Sequence, residues 1–196
     1  VLAFLPGVAD IERTARQLAD RLPADVDLHR LHGQLASAEQ RAAIAPVPPG
    51  RRKLVLATSI AETSITIDGV RVVIDSGLAR RPRRDGPQGL IRLETVRASQ
   101  AATTQRAGRA GRTAPGLAIR LWEAAENLGR PAFDPPEIID ADLAGLVLDC
   151  ARWGVTDPAV LPWRDPPPEP ALAQARDRLQ RLGAVDGDGR VTAHGE

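Results

Sequence analysis

At 196 residues, with 43% hydrophobic content and a formal net charge of +1, the chain can bury one good core and a small second one, and as a whole it is not a strong polyanion binder. No apolar run approaches the roughly 18 residues of a membrane-spanning helix, and the opening VLAFLPG is too short and lacks the basic start of a signal peptide. A lone Cys150 excludes an internal disulfide and leaves no basis for a cysteine metal cluster.

The chain starts mid-pattern and without Met, so an excised fragment is expected, in a cytoplasmic setting. Residues 1–5 form a short apolar run ended by Pro6 and Gly7, the mark of a buried strand. Val8, Ile11, Ala15, Leu18 and Leu22 have helical spacing, and Pro23 stops that helix. Residues 26–31 predict a second strand, leading into His32, Gly33 and Gln34. Ser37 followed by Gln40 has the form of a capping box, opening a helix to about Ala45. After a loop of prolines and glycine, 53–57 (KLVLA) and 70–75 (VRVVID) predict two more strands. Continuous apolar strands separated by helices argue for a parallel sheet covered on both faces.

From 78 to 97 the pattern changes to two arms around Asp85, Gly86, Pro87, Gln88 and Gly89, which predicts a protruding β-hairpin with a longer turn. Ser99 can cap the helix that follows. Residues 117–122 (LAIRLW) supply a last strand. Beyond about 134 the outline becomes helix, helix, small hairpin: Leu143, Leu146, Val147 and Cys150 mark one helix, ending near Trp153 and Gly154. A second runs from 171 to 182, and a short hairpin turns at 186–189. That is the outline of a winged-helix unit. The three tryptophans, Trp122, Trp153 and Trp163, are expected to be packing anchors rather than platforms for bases.

The most informative stretch is 105–112, QRAGRAGR. On a helix turning about 100° per residue, Gln105, Arg109 and Arg112 are spaced i, i+4, i+7 and share one stripe. Ala107 and Ala110 take the opposite side, and Arg106 points about a quarter-turn away from the stripe, where it would tie the helix to its surroundings. Gly108 and Gly111 each cost roughly 1 kcal/mol in a helix interior, which implies a close backbone approach. Two guanidiniums and an amide on one ridge can grip a transferring phosphoryl group and orient an attacking water. The alternative is a solvated basic face.

Just after the KLVLA strand, 58–69 (TSIAETSITIDG) offers the hydroxyls of Thr58, Ser59, Thr63, Ser64 and Thr66 with the carboxylates of Glu62 and Asp68. Such a loop outside the carboxyl end of a parallel strand suits phosphate and sugar contacts, although a polar turn with local hydroxyl bonds is the plainer reading. No G-x-x-x-x-G-K-[ST] occurs, and no Asp-Glu pair stands at a strand end to hold Mg²⁺. An arginine ridge with a sensor loop but no phosphate cradle is half of a nucleoside triphosphate site.

TSIAETSITIDGV (58–70) and QRAGRAGR (105–112) closely resemble motifs V and VI of the DEAH/DExH-box superfamily-2 helicases. VLAFLPG resembles their motif IV, LHGQLASAEQ the segment after it, and the hairpin and tail are most like the bacterial HrpB branch. The resemblance implies a RecA-like lobe of P-loop NTPase type over 1–134, with parallel sheet and protruding hairpin, and a winged-helix domain over 135–196. It implies ATP with Mg²⁺ as the nucleotide, the Mg²⁺ ligands lying on a first lobe of the same protein, and single-stranded RNA or DNA as the track. Arg109 and Arg112 would be arginine fingers and Gln105 would place the hydrolytic water. Ser64 would sense the γ-phosphate, with Thr66 and Asp68 near the ribose. Gly33 and Thr58 would face nucleic-acid phosphates. Arg80, Arg81, Arg83 and Arg84 on the hairpin could hold phosphates or form a solvated basic tip. Where family members often stack an aromatic on adenine, this chain has Ile44, which implies weak base discrimination. The rival reading is a non-catalytic nucleic-acid-binding module that uses the hairpin and the winged helix.

Overall fold

The computed structural model describes every residue except Ser64, residues 86–89 and Thr113, together with the backbone but not the side chains of Arg84, Asp85, Leu90 and Ile91. Its contacts divide the chain into two units, one of residues 1–81 and 93–134, the other of residues 82–92 and 135–196.

The first unit is built on five parallel strands in the order β2-β3-β1-β4-β7. They are β1 (Leu2–Phe4), β2 (Val26–Leu31), β3 (Arg52–Ala57), β4 (Val72–Asp75) and β7 (Leu117–Arg120). Side chains alternate across a strand, so each strand feeds two cores. On one face Leu2, Phe4, Leu31, Val55, Ala57 and Val73 pack with Ala43 and Ala110. On the other, Ala3 and Leu56 pack with Ile11 and Ala15 of α1 (Val8–Leu18). Both faces of the central strands are therefore covered, as the uninterrupted apolar runs require. Strand β7 differs: Leu117 and Ile119 are 56% and 40% exposed at the sheet edge, and the strand stops at Arg120, short of the expected 122.

Two local expectations shift. Helix α2 (Ser37–Ile44) starts with Ser37 inside the helix, so the cap position falls on Ala36. Alanine has no side-chain acceptor, and only the return half of the capping box forms, with the Ala36 N–H donating to Glu39 Oε2 at 3.3 Å. The carboxyl end of α2 is tied down instead by Lys53, whose Nζ donates to the carbonyls of Ala42 (3.0 Å), Ala43 (3.3 Å) and Ala45 (2.5 Å), a cation on the negative end of the helix dipole. Helix α1 ends at Leu18, a turn short of the stop expected at Pro23.

Strands β5 (Leu78–Asp85) and β6 (Leu90–Arg97) pair as the expected hairpin; the turn assigned to residues 85–89 lies outside the described residues apart from the Asp85 backbone. Ser99 does cap helix α3 (Gln100–Ala107), accepting from Ala102 N–H at 3.1 Å.

In the second unit, α4 (Glu137–Asp140) is a single turn, and α5 (Ala144–Arg152) packs on α6 (Glu169–Arg181) through Val147, Ala151, Leu172, Ala175 and Leu179. Val185 and Val191 form an antiparallel bridge around a turn held by Asp186, whose Oδ1 accepts from the Asp188 and Arg190 N–H groups at 2.9 and 2.8 Å. Trp163 anchors its loop, donating to Pro158 O at 2.7 Å. Trp153 does not pack as expected: it caps α5 and is 83% exposed, because the helix stops there and Gly154 (φ 83°) turns the chain away.

A candidate nucleotide and nucleic-acid site

Residues 105–112 are not one continuous α-helix. Helix α3 ends at Ala107, and residues 108–111 form a 3₁₀ turn with a tighter pitch, so the 100° spacing breaks between Gln105 and the two arginines. Gln105 and Arg112 are exposed, whereas Arg109 is 7% exposed. A Cβ at Gly108 or Gly111 would meet nothing within 4 Å, so the inferred close approach at the glycine pair is absent. It occurs instead at Gly116, where a Cβ would lie 1.7 Å from the Ala110 carbonyl oxygen. Ala110 does lie against the sheet, in the core.

The two arginines meet the hydroxyl-rich loop. Arg109 Nη1 donates to Ile65 O at 3.1 Å and its Nη2 to Glu62 O. Arg112 Nη1 donates to Thr66 Oγ1 at 3.2 Å. Burial lowers the Arg109 pKa from its ordinary value, and the charge of nearby Arg112 lowers it further. Ser64 lies outside the described residues. Asp68 is on the wall of a cleft of about 540 Å³, with Ala45, Pro46 and Val47 after α2 and Val72 at the start of β4. That cleft opens at the amino ends of the strands, not the carboxyl ends. Ile44, next to it, packs onto the core.

The nucleic-acid candidates divide. Leu31 and Ala57 are partners across β2 and β3, and the Thr58 N–H donates to Leu31 O at 3.1 Å, so Gly33 and Thr58 follow adjacent strands at the carboxyl edge. Two of the hairpin arginines lie against other parts of the first unit. The Arg80 stem lies across Gly7, where a Cβ would meet its Cδ at 2.9 Å, and Arg81 pairs with Asp134. Arg83 is exposed and engaged in a contact of its own; the Arg84 side chain is outside the described residues.

Behind the arginine pair lies a node whose full extent sequence reasoning missed. Arg106 is 1% exposed. Its Nε and Nη2 donate to Glu62 Oε1 at 2.7 and 2.6 Å, and its Nη1 to Asp75 Oδ1 at 2.8 Å and Leu78 O at 3.0 Å. Its guanidinium stands 5.1 Å from the Phe4 ring centroid. The expectation that Arg106 ties the helix down is met. Burial pushes the Glu62 carboxyl up from its ordinary value, against the lowering pull of Arg106. Arg130, 4% exposed, donates from Nη1 to Gly77 O (2.7 Å) and Ala98 O (3.0 Å), and its guanidinium stacks 4.1 Å from the Trp122 ring centroid. Trp122 is thus a packing anchor. No spacing rule pointed to Arg130, since it stands in a loop 24 residues beyond Arg106.

A RecA-like parallel sheet that brings two arginines onto a hydroxyl loop defines the class, and the chain belongs to the helicase conserved C-terminal domain family, whose model matches residues 1–114. It is 48% identical over all 196 residues to the ATP-dependent RNA helicase HrpB of Escherichia coli, covering 24% of that protein. It is 36% identical over 204 aligned residues to the probable ATP-dependent RNA helicase DHR2 of Saccharomyces cerevisiae, again across the whole chain and 28% of the relative. The crystal structure of the E. coli DEAH/RHA helicase HrpB superposes with a TM-score of 0.87 over 99% of this chain and 25% of that one, at 48% identity. The chain thus spans about a quarter of the length of these relatives.

Proposed function

We propose that this chain is the second RecA-like lobe of an ATP-dependent RNA helicase, followed from 135 by a winged-helix domain, and that it works in the cytoplasm. A first lobe of the same protein binds the ATP phosphates and Mg²⁺. Arg109 and Arg112 neutralise charge on the transferring phosphoryl group as the lobes close, and Gln105 places the water. Ser64 senses the γ-phosphate, and Thr66 and Asp68 approach the ribose. Gly33, Thr58 and the hairpin arginines hold the strand by its phosphates. The observation that carries this reading is the hydrogen bond between Arg112 and Thr66, which joins the arginine turn to the hydroxyl loop.

Glu62 and Asp75 are both bound to Arg106, and the reading leaves the Mg²⁺ ligands to that first lobe. A non-catalytic binding module leaves the Arg112–Thr66 link without a purpose. It also needs residues 135–196 to attract nucleic acid, yet that segment carries eleven acidic residues against six arginines.

The test is hydrolysis. This chain alone is expected to release no phosphate from ATP above background, and a polypeptide in which a lobe carrying G-x-x-x-x-G-K-[ST] precedes it is expected to hydrolyse ATP and displace a strand from an RNA duplex. Robust hydrolysis by the isolated chain would sink the half-site reading. Because Ile44 packs inward and offers no ring to the base, the longer polypeptide is further expected to hydrolyse ATP, GTP, CTP and UTP at rates within a few-fold. A strong preference for ATP, measured side by side, counts against that assignment.

A further inference from the structure

We propose that the Arg106 and Arg130 node couples the nucleotide-facing loop to the root of the β-hairpin, with both arginines acting as positioning residues; the functional part of this rests on the helicase reading above. The hairpin leaves the sheet at Gly77 and returns at Ala98, and each end is held. Arg130 Nη1 donates to both the Gly77 and Ala98 carbonyls, and the Ala98 N–H donates to Gly77 O at 3.0 Å. Gly77 has φ 70°, and a Cβ there would fall 2.4 Å from Arg130 Nη2 and 2.6 Å from Trp122, so the clamp fits only glycine.

The root is wired inward. The Gly77 N–H donates to Asp75 Oδ1 at 2.8 Å, the same oxygen that accepts from Arg106 Nη1 at 2.8 Å, and Arg106 also holds Leu78 O, at the first residue of β5. From the other end of its guanidinium Arg106 grips Glu62 Oε1. Glu62 is the shared part: its carboxylate is bound to Arg106 while its carbonyl is bound to Arg109. When Arg109 leaves that carbonyl for a phosphate, Glu62 keeps its N–H bond to Ser59 O within the loop and its carboxylate bond to Arg106. The link out of the loop is the carboxylate one, and it runs through Arg106 and Asp75 to the hairpin root. The chain of bonds is continuous, buried from Arg106 through Asp75 to Gly77 and partly buried at Glu62, so its inner links are stronger than their exposed equivalents. Continuity alone does not establish coupling; a change made at one end must be read at the other.

The experiment makes that change. In the 196-residue chain, Glu62→Gln keeps the side-chain shape and removes its charge, and amide hydrogen exchange is followed at Leu78 and Ala98 and at the β1 amides. Exchange at Leu78 and Ala98 is expected to rise about tenfold while β1 is unchanged. No rise at the root, or an equal rise in β1 from general loosening, overturns the coupling. In the longer polypeptide, Arg130→Lys, which keeps the charge but loses the planar stack on Trp122, is expected to hydrolyse ATP within twofold of the parent while strand displacement per ATP falls about tenfold. Arg130→Ala serves as the stronger variant if it folds. Parallel loss of both activities, or loss of neither, refutes the positioning role. If exchange propagates as expected but the parent itself neither hydrolyses nor unwinds, the helicase reading fails and the physical link stands.

Discussion

In the longer polypeptide, Arg109→Ala is expected to lower kcat for ATP hydrolysis by about 10³-fold, the loss seen when an arginine finger is removed. The geometry qualifies how that loss arises. Arg109 donates to the carbonyls of Ile65 and Glu62, so the alanine variant loses both a cation for the phosphates and a brace for the loop. Arg109→Lys separates the two. A lysine retains the charge and can still donate to one carbonyl, but it lacks the fork that meets two oxygens at once. If the guanidinium acts on the transition state, lysine recovers little of kcat. Arg112→Ala supplies the contrast, since Arg112 is exposed and its guanidinium donates to the Thr66 hydroxyl rather than to the loop carbonyls. A steady-state assay giving Arg109→Ala near-normal kcat with a raised KM would mean that Arg109 only shapes the loop.

The central strands were legible because burial on both faces leaves a plain mark, four or five apolar residues between polar bounds. The end of β3 falls where that pattern puts it, and the edge strand β2, whose VDLHRL is no apolar run, also keeps its expected bounds. The cap at Ser99 was legible because its hydroxyl has one favourable use at that place. The stripe through Gln105, Arg109 and Arg112 was only partly so. Helical spacing assumes one pitch, and nothing in QRAGRAGR states where an α-helix tightens to a 3₁₀ turn. The glycine pair implies close contact by composition alone, whereas Gly108 and Gly111 bound the turn where the helix changes pitch. The pairing of the arginine turn with the hydroxyl loop depends on β4 lying beside β1 and β7, a tertiary fact that motif order alone cannot supply. Trp153 shows the same limit: an aromatic near a helix end has the same letter whether it packs or faces water.

Arg106→Met is expected to cost the fold about 3–5 kcal/mol, the usual penalty for removing one partner of a buried ion pair. Methionine fills the volume beside Phe4, so the cost is electrostatic rather than a cavity. It leaves the buried Asp75 and the largely buried Glu62 with no cation between them. The pH dependence has a definite sign. Burial already raises the folded-state pKa of Glu62 above its ordinary 4.5, and removing Arg106 takes away the main opposing influence. The folded variant therefore binds more protons than the unfolded chain from about that value upward, and its stability falls as pH rises through the raised folded pKa. Denaturant midpoints of parent and variant should lie closest below pH 4.5 and separate toward neutrality. A deficit that is constant across that range would assign the loss to packing against Phe4. Adding Glu62→Gln and Asp75→Asn to Arg106→Met removes the stranded charges, and part of the lost stability should return, because the three side chains stabilise the fold as a set and not singly.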